Sequence, residues 1–253
     1  MTSLPAGWTP AADTLAGRTI LVTGATGGLG RASALACARA GATVVLLGRK
    51  VSTLEKLYDE IEALGAPKPA IYPMNLEGAT PRDFEELADT IERECGALHG
   101  VVHAAAHFAG LQPATDIKPE EWMRVLQVNL NAPFLLTQAL IPLLKAQDDA
   151  SVVFVLDDER RVRKSFWGAY GVAKAALAGM VAILHDETDN SSLRVQALLP
   201  APMRTALRRM AYFGENTLEQ PEPDASAQAV LYLLSADGHP ARGGVLDLRP
   251  TTN

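Results

Sequence analysis

The chain has 253 residues, 48% hydrophobic and 21% charged, with formal net charge −6 and an isoelectric point near 5.4. This balance is ordinary for a globular domain and offers no basic surface for nucleic acid. Two cysteines, Cys37 and Cys95, suggest neither a disulfide framework nor a metal site.

The N-terminus lacks a basic region followed by an apolar run, and no 18-residue stretch reads as a membrane span. The expectation is a soluble cytoplasmic protein without nucleic-acid or membrane partners. Residues 18–22 form a short apolar run closed by a glycine loop, which reads as a buried strand. A helix over 31–40, a strand over 42–47 and an amphipathic helix over 53–64 follow. Next come strand 70–73, helix 81–95 with proline near its start, and strand 100–105. A long helix over 120–145 precedes strand 151–156, and helix 167–185 precedes strand 193–199. Helix 225–234 and strand 244–248 complete the pattern.

Continuous apolar strands separated by helices predict an α/β fold whose parallel sheet is covered on both faces. No linker divides the pattern, so residues 1–253 read as one domain. The least regular stretch, 202–224, holds Arg204, Arg208, Arg209, Tyr212 and Phe213. It reads as a lid over a site at the carboxyl edge of the sheet, or as an exposed connection.

The first strand runs into Thr23-Gly24-Ala25-Thr26-Gly27-Gly28-Leu29-Gly30, which opens the first helix. Glycines there permit a tight turn and let backbone amides approach a pyrophosphate at the helix N-terminus. The second strand ends Leu47-Gly48-Arg49-Lys50. With no carboxylate in that stretch and Arg49 able to pair with a 2′-phosphate, NADP(H) is favoured over NAD(H).

Far along the chain, Tyr170 and Lys174 stand four apart in a helical stretch and so share a face. A lysine ammonium beside a phenol is expected to lower the tyrosine pKa, making it an acid/base near neutral pH.

The spacing Thr23-Gly24-x-x-x-Gly28-x-Gly30 with Tyr170-x-x-x-Lys174 resembles the short-chain dehydrogenase/reductase family over almost the whole chain. The segments Leu46-Leu47-Gly48-Arg49, Asn129-Leu130-Asn131-Ala132 and Trp167-Gly168-Ala169-Tyr170 are most similar to its bacterial YciK-type branch. The resemblance implies a Rossmann-like, doubly wound sheet of about seven strands and hydride transfer between a nicotinamide and a small-molecule carbonyl or secondary alcohol. It implies Tyr170 as acid/base, Lys174 on the nicotinamide ribose, and Asn129 assisting a proton relay. Asn75 and Leu76 would contact the adenine, Ala104 would offer backbone to the cofactor, and Thr205 would meet the carboxamide. A homodimer or homotetramer through the two long helices is implied as well.

Three positions depart from the family pattern. His103-Ala104-Ala105-Ala106 replaces Asn-Asn-Ala-Gly, losing an amide that ties neighbouring strands, and Pro200-Ala201 replaces Pro-Gly. The third is Asp157, which stands thirteen residues before Tyr170, where the family places its catalytic serine. No serine or threonine lies between Phe154 and Lys164 to take over. Three readings stay open. Asp157 is kept protonated by burial and by Asp158 and donates as the serine would. Alternatively it is ionised and pairs with Lys174, Arg160, Arg161 or Arg163, leaving the site weak or tuned to a cationic substrate. Or catalysis is lost and a cofactor-binding protein remains. His107 and the run Arg160-Arg161-Val162-Arg163-Lys164 are more simply read as solvated loop residues than as site groups.

Overall fold

The computed structural model describes residues 2–250; position 1 and positions 251–253 of the expected domain lie outside the described residues. Strands β1 (Thr19–Thr23), β4 (Gly100–His103) and β6 (Leu193–Leu199) are buried at every position. Only a sheet covered on both faces accepts such continuous apolar runs. Strands β2 (Thr43–Gly48), β3 (Ala70–Pro73), β5 (Ala150–Val155) and β7 (Val245–Asp247) complete a seven-stranded, all-parallel sheet in the order 3-2-1-4-5-6-7. This is the Rossmann-like fold that the resemblance implies.

Helices α1 (Gly28–Arg39), α2 (Val51–Ala63) and α9 (Asp224–Leu234) supply the apolar layer on one face. Helices α3 (Pro81–Cys95), α5 (Ala132–Lys145) and α7 (Gly168–Thr188) supply most of the apolar layer on the other face, and α4 (Pro119–Leu126) packs against α7. α3 shows how local sequence sets a boundary. Thr80 and Asp83 form a reciprocal capping box, Pro81 occupies the first turn, and Gly96 ends the helix at φ 75°.

Several sequence expectations need correction. The helix expected over 120–145 is interrupted by a π-helical turn, Gln127–Asn131, that contains Asn129. Two short helices, α6 (Glu159–Val162) and α8 (Ala206–Ala211), fall in stretches read as loop and lid. Helix α7 does reach the length and apolarity of a membrane span, with mean hydropathy 1.3, because Lys174 is its one basic residue besides His185. Its Ala173, Leu177, Val181 and Leu184 are buried within this fold, the pattern of a core helix.

The amide expected to be missing after β4 has a substitute. Thr23 Oγ1 donates to the Val102 carbonyl at 3.3 Å and accepts the Ala105 N–H at 3.2 Å, tying the ends of β1 and β4 together. His103 itself turns inward, stacks on Phe154 at 4.6 Å and meets Thr137 Oγ1 at 2.8 Å. Burial, reinforced by the charge of Lys174, pushes its pKa down to about 3. The imidazole is therefore neutral in the fold and charges on unfolding. Stability on this account is full above the unfolded pKa of 6.5 and falls as pH drops from there towards 3. Its share of the acid loss is about 5 kcal/mol. His103→Asn should flatten the pH dependence of unfolding free energy across that window, measured by denaturant titration against wild type.

Candidate active site

Between β1 and β4 the strand order reverses, and a crevice opens at the carboxyl ends of the strands there. It holds a cavity of about 510 Å³ that runs from Arg49, past the glycine loop, to Tyr170. That volume suits an extended small molecule, within the usual ~300–1,000 Å³ of ligand sites.

The glycine loop is shaped by close contacts. Gly24 has φ +63°, and a Cβ there would lie 2.7 Å from Ala105 Cα. A Cβ on Gly30 would lie 2.2 Å from the Gly24 carbonyl oxygen, so only glycine lets α1 start against its own loop. Gly28 faces the Thr205 methyl across the cleft, with 2.8 Å to a Cβ built on it. Gly27 caps α1 without a side-chain hydrogen bond, and no acidic residue occupies the first turn. The first amides of α1 thus remain available, with the positive end of the helix behind them, for an anion. Thr26, Gly27, Gly28 and Leu29 line the cavity; Gly30 works from behind it. Ala104, Asn75, Leu76 and Thr205 also line it. The Asn75 side chain accepts the Glu77 N–H at 3.2 Å, shaping the turn after β3. Thr205 Oγ1 accepts the Arg208 N–H at 3.1 Å as the cap of α8, which leaves its proton free to donate. These residues fit a dinucleotide.

At the far end, the argument from a missing carboxylate needs revision. Glu77, from the turn after β3, pairs with Arg49 at 2.7 Å and with Arg124 at 3.6 Å. Arg49 remains 61% exposed, so its guanidinium can still turn to a 2′-phosphate, but in competition with Glu77. Sequence alone could not place Glu77, which lies 28 residues from Arg49.

At the other end, Asp157 sits just beyond β5, opposite the first turns of α7. Tyr170 Oη donates to Asp157 Oδ2 at 2.9 Å. Asp157 Oδ1 accepts the Asp158 N–H at 2.7 Å and Arg161 Nη2 at 3.3 Å. Two N–H groups thus donate to Oδ1 while the Tyr170 hydroxyl meets Oδ2, an arrangement that suits a carboxylate. Asp158 is itself ion-paired: burial would raise its pKa, but bonds from Arg160 and the charges of Arg249 and Arg160 outweigh that and lower it.

Tyr170, 4% exposed, is held well above the ordinary phenol value by burial and then by the Asp157 charge and hydrogen bond. The expected lowering by Lys174 is absent. Burial takes the Lys174 ammonium down to about 8, opposed by Asp157. Its Nζ donates to the Val155 carbonyl at 2.7 Å and lies 5.7 Å from the Tyr170 ring centre, not at the hydroxyl.

Asn129 is buried behind the cavity and is not among the residues that line it. Its side chain accepts the His107 N–H at 3.2 Å and donates to the His107 carbonyl at 2.7 Å, clamping the loop after β4. It also donates to Val125 O at 2.8 Å, within the helix that the π turn opens. His107 lines the cavity and pairs with Glu121 at 2.5 Å, so it is no free loop histidine. Arg161 turns back over the cleft instead of into solvent. Ala201 adds no strain, because Phe166 is the one non-glycine residue with positive φ among the described residues.

An aromatic wall escaped the sequence reading. Phe108 and Trp167 pack on Tyr170 at 5.2 and 5.9 Å, and Tyr212 follows Trp167 at 6.1 Å. Tyr212 and Met210 come from the 202–224 stretch, which does lie along the cleft. The Arg161 and Arg208 guanidinium groups lie 5.5 and 4.6 Å from the Tyr212 ring.

The short chain dehydrogenase family model matches residues 18–214. The oxidoreductase YciK of Escherichia coli K12 is 36% identical over 241 residues, 95% of each chain. A solved short chain dehydrogenase from Shigella flexneri, complexed with NADP, is 36% identical over 94% of this chain and 99% of that one, with TM-score 0.89. Another, from Escherichia coli CFT073 with NADPH, is 38% identical with the same coverage and TM-score.

Substitutions at two glycines should part fold from binding. Gly30→Ala forces backbone apart and should cost about 3 kcal/mol in denaturant unfolding. Gly28→Ala meets a movable side chain, so it should lower stability by under about 1 kcal/mol while weakening dinucleotide binding at least tenfold by calorimetry.

Proposed function

Because this chain belongs to the short-chain dehydrogenase/reductase family, we propose that it is an NADP(H)-dependent oxidoreductase working in the reductive direction on a carbon of the carbonyl type. The observation that carries the direction is the 2.9 Å bond from Tyr170 to Asp157. Alcohol oxidation needs a phenolate to take the substrate proton. A phenolate 2.9 Å from a carboxylate is opposed by roughly 6 kcal/mol at an effective dielectric of ~20. Tyr170 therefore stays protonated as a hydrogen-bond donor, and the site suits reduction of a group that asks no proton of it, since giving up that proton would leave the same opposed phenolate.

When bound, the nicotinamide supplies the hydride. The α1 amides and the glycine loop hold the pyrophosphate, and Arg49 takes the 2′-phosphate once it leaves Glu77. Lys174, fixed on Val155 O, lies where a ribose hydroxyl could share its remaining protons. Phe108, Trp167 and Tyr212 exclude water from the reacting end. Exposed Met123, Phe134, Val172 and Ile183, on α4, α5 and α7, support association into a homo-oligomer through those helices.

Two measurements test this reading. NADPH should bind at least tenfold tighter than NADH. Arg49→Ala should erase that difference, whereas Glu77→Gln should widen it. Wild type should consume NADPH with a small electrophile and lose at least a hundredfold in Tyr170→Phe. Binding without turnover of any electrophile would favour the competing reading, a non-catalytic cofactor-binding protein.

A further inference from the structure

The acceptor and donor positions at the reacting end are unequal. Asp157 Oδ1 already receives two hydrogen bonds, from Asp158 N–H and Arg161. Oδ2 receives one, from Tyr170. A carboxylate oxygen has about two acceptor positions. One therefore remains on Oδ2, beside the Tyr170 hydroxyl, and half-buried Asp157 lines the cleft. No serine or threonine hydroxyl between Phe154 and Lys164 offers a proton there.

A carbonyl oxygen suits this place badly. It carries lone pairs alone, so it would face an anion and compete with Asp157 for the single phenol proton. A protonated nitrogen suits it well, since its N–H donates to Oδ2 and its charge is paired.

We infer that the compound reduced here is a protonated C=N group, an iminium ion, whose N–H is received by Asp157. This rests on the reductive reading above and narrows it. Of the neighbouring cations, Lys174 donates to Val155 O and shares the field of Asp157, Arg161 is divided between Asp157 and Asp158, and Arg208 pairs with Glu215 at 2.8 Å. Phe108 and Trp167 line the same cavity, and aromatic rings attract a cation.

The step balances without a proton from the protein. A new C–H bond forms with hydride from a reduced nicotinamide, the reductant. The C=N π pair becomes the amine lone pair, and the nitrogen keeps the proton it brought. Tyr170 need not ionise. Its hydroxyl stays on Asp157 and fixes the carboxylate towards the substrate.

The test pairs 2-methyl-1-pyrroline, an imine that protonates near neutral pH, with the ketone cyclopentanone. Calorimetry with NADPH comes first; no binding would sink the reductive reading and this inference with it. With NADPH bound, wild type should reduce the imine with at least tenfold higher kcat/KM than the ketone. Asp157→Ser should reverse that order, and Asp157→Asn, equal in shape, should lose the imine. A wild-type preference for the ketone overturns the inference and leaves the reductive reading standing. If neither probe turns over, binding decides. Pyrrolidinium should bind the NADP-loaded protein at least tenfold tighter than cyclopentanol, and Asp157→Asn should abolish the difference. Equal affinities in wild type overturn the inference.

Discussion

The Tyr170–Asp157 hydrogen bond governs the chemistry of this site. A buried phenol and a half-buried carboxyl group 2.9 Å apart cannot both ionise without a cost of several kcal/mol. The stronger acid keeps the charge, and three donors solvate it there: Tyr170, Arg161 and the Asp158 amide. The phenol keeps its proton. Lys174 would have to oppose this, yet its ammonium is spent on a carbonyl at the end of β5 and is weakened by its own burial. The familiar pair on one helix face is present, but its electrostatics run the opposite way.

Positions around that bond follow from the fold. Parallel strands place every carboxyl end on one edge, and the reversal of order between β1 and β4 opens the crevice. Gly24 and Gly30 bring loop and helix so close that backbone amides, not side chains, form its floor. Asn129 clamps the His107 backbone and holds the opposite wall. On the far side, Arg249 bonds Asp158 at 2.6 Å and Asp247 at 2.6 Å, anchoring the loop after β5 to β7. The acid pair thus sits between two braced loops.

The fold was legible because most of its strands are largely apolar runs between helical patterns, which leaves few architectures. The glycine loop was legible because its spacing encodes steric necessity. Tyr170, Lys174 and Asp157 were legible as identities, but not in their electrostatics. Helical spacing says that Tyr170 and Lys174 share a face; it does not say that the ammonium reaches Val155 O. Glu77 was missed because its approach to Arg49 depends on β3 pairing beside β2, a contact between distant segments. Arg161 looked like one charge in a solvated run. Only the short turn of α6, capped by Asp158, directs it back over Tyr212. The aromatic wall gathers Phe108, Trp167 and Tyr212 from three loops, and no local pattern announces that.

The most direct measurement is the ionisation of Tyr170 itself, followed by NMR on carbon-labelled tyrosine and assigned with Tyr170→Phe. The structure predicts that the wild-type Tyr170 signal stays protonated beyond pH 10, the ordinary phenol value, and that Asp157→Ser brings its titration down. Ionisation of wild-type Tyr170 near or below neutral pH would contradict the account, because it would mean that Asp157 carries the proton and Tyr170 the charge.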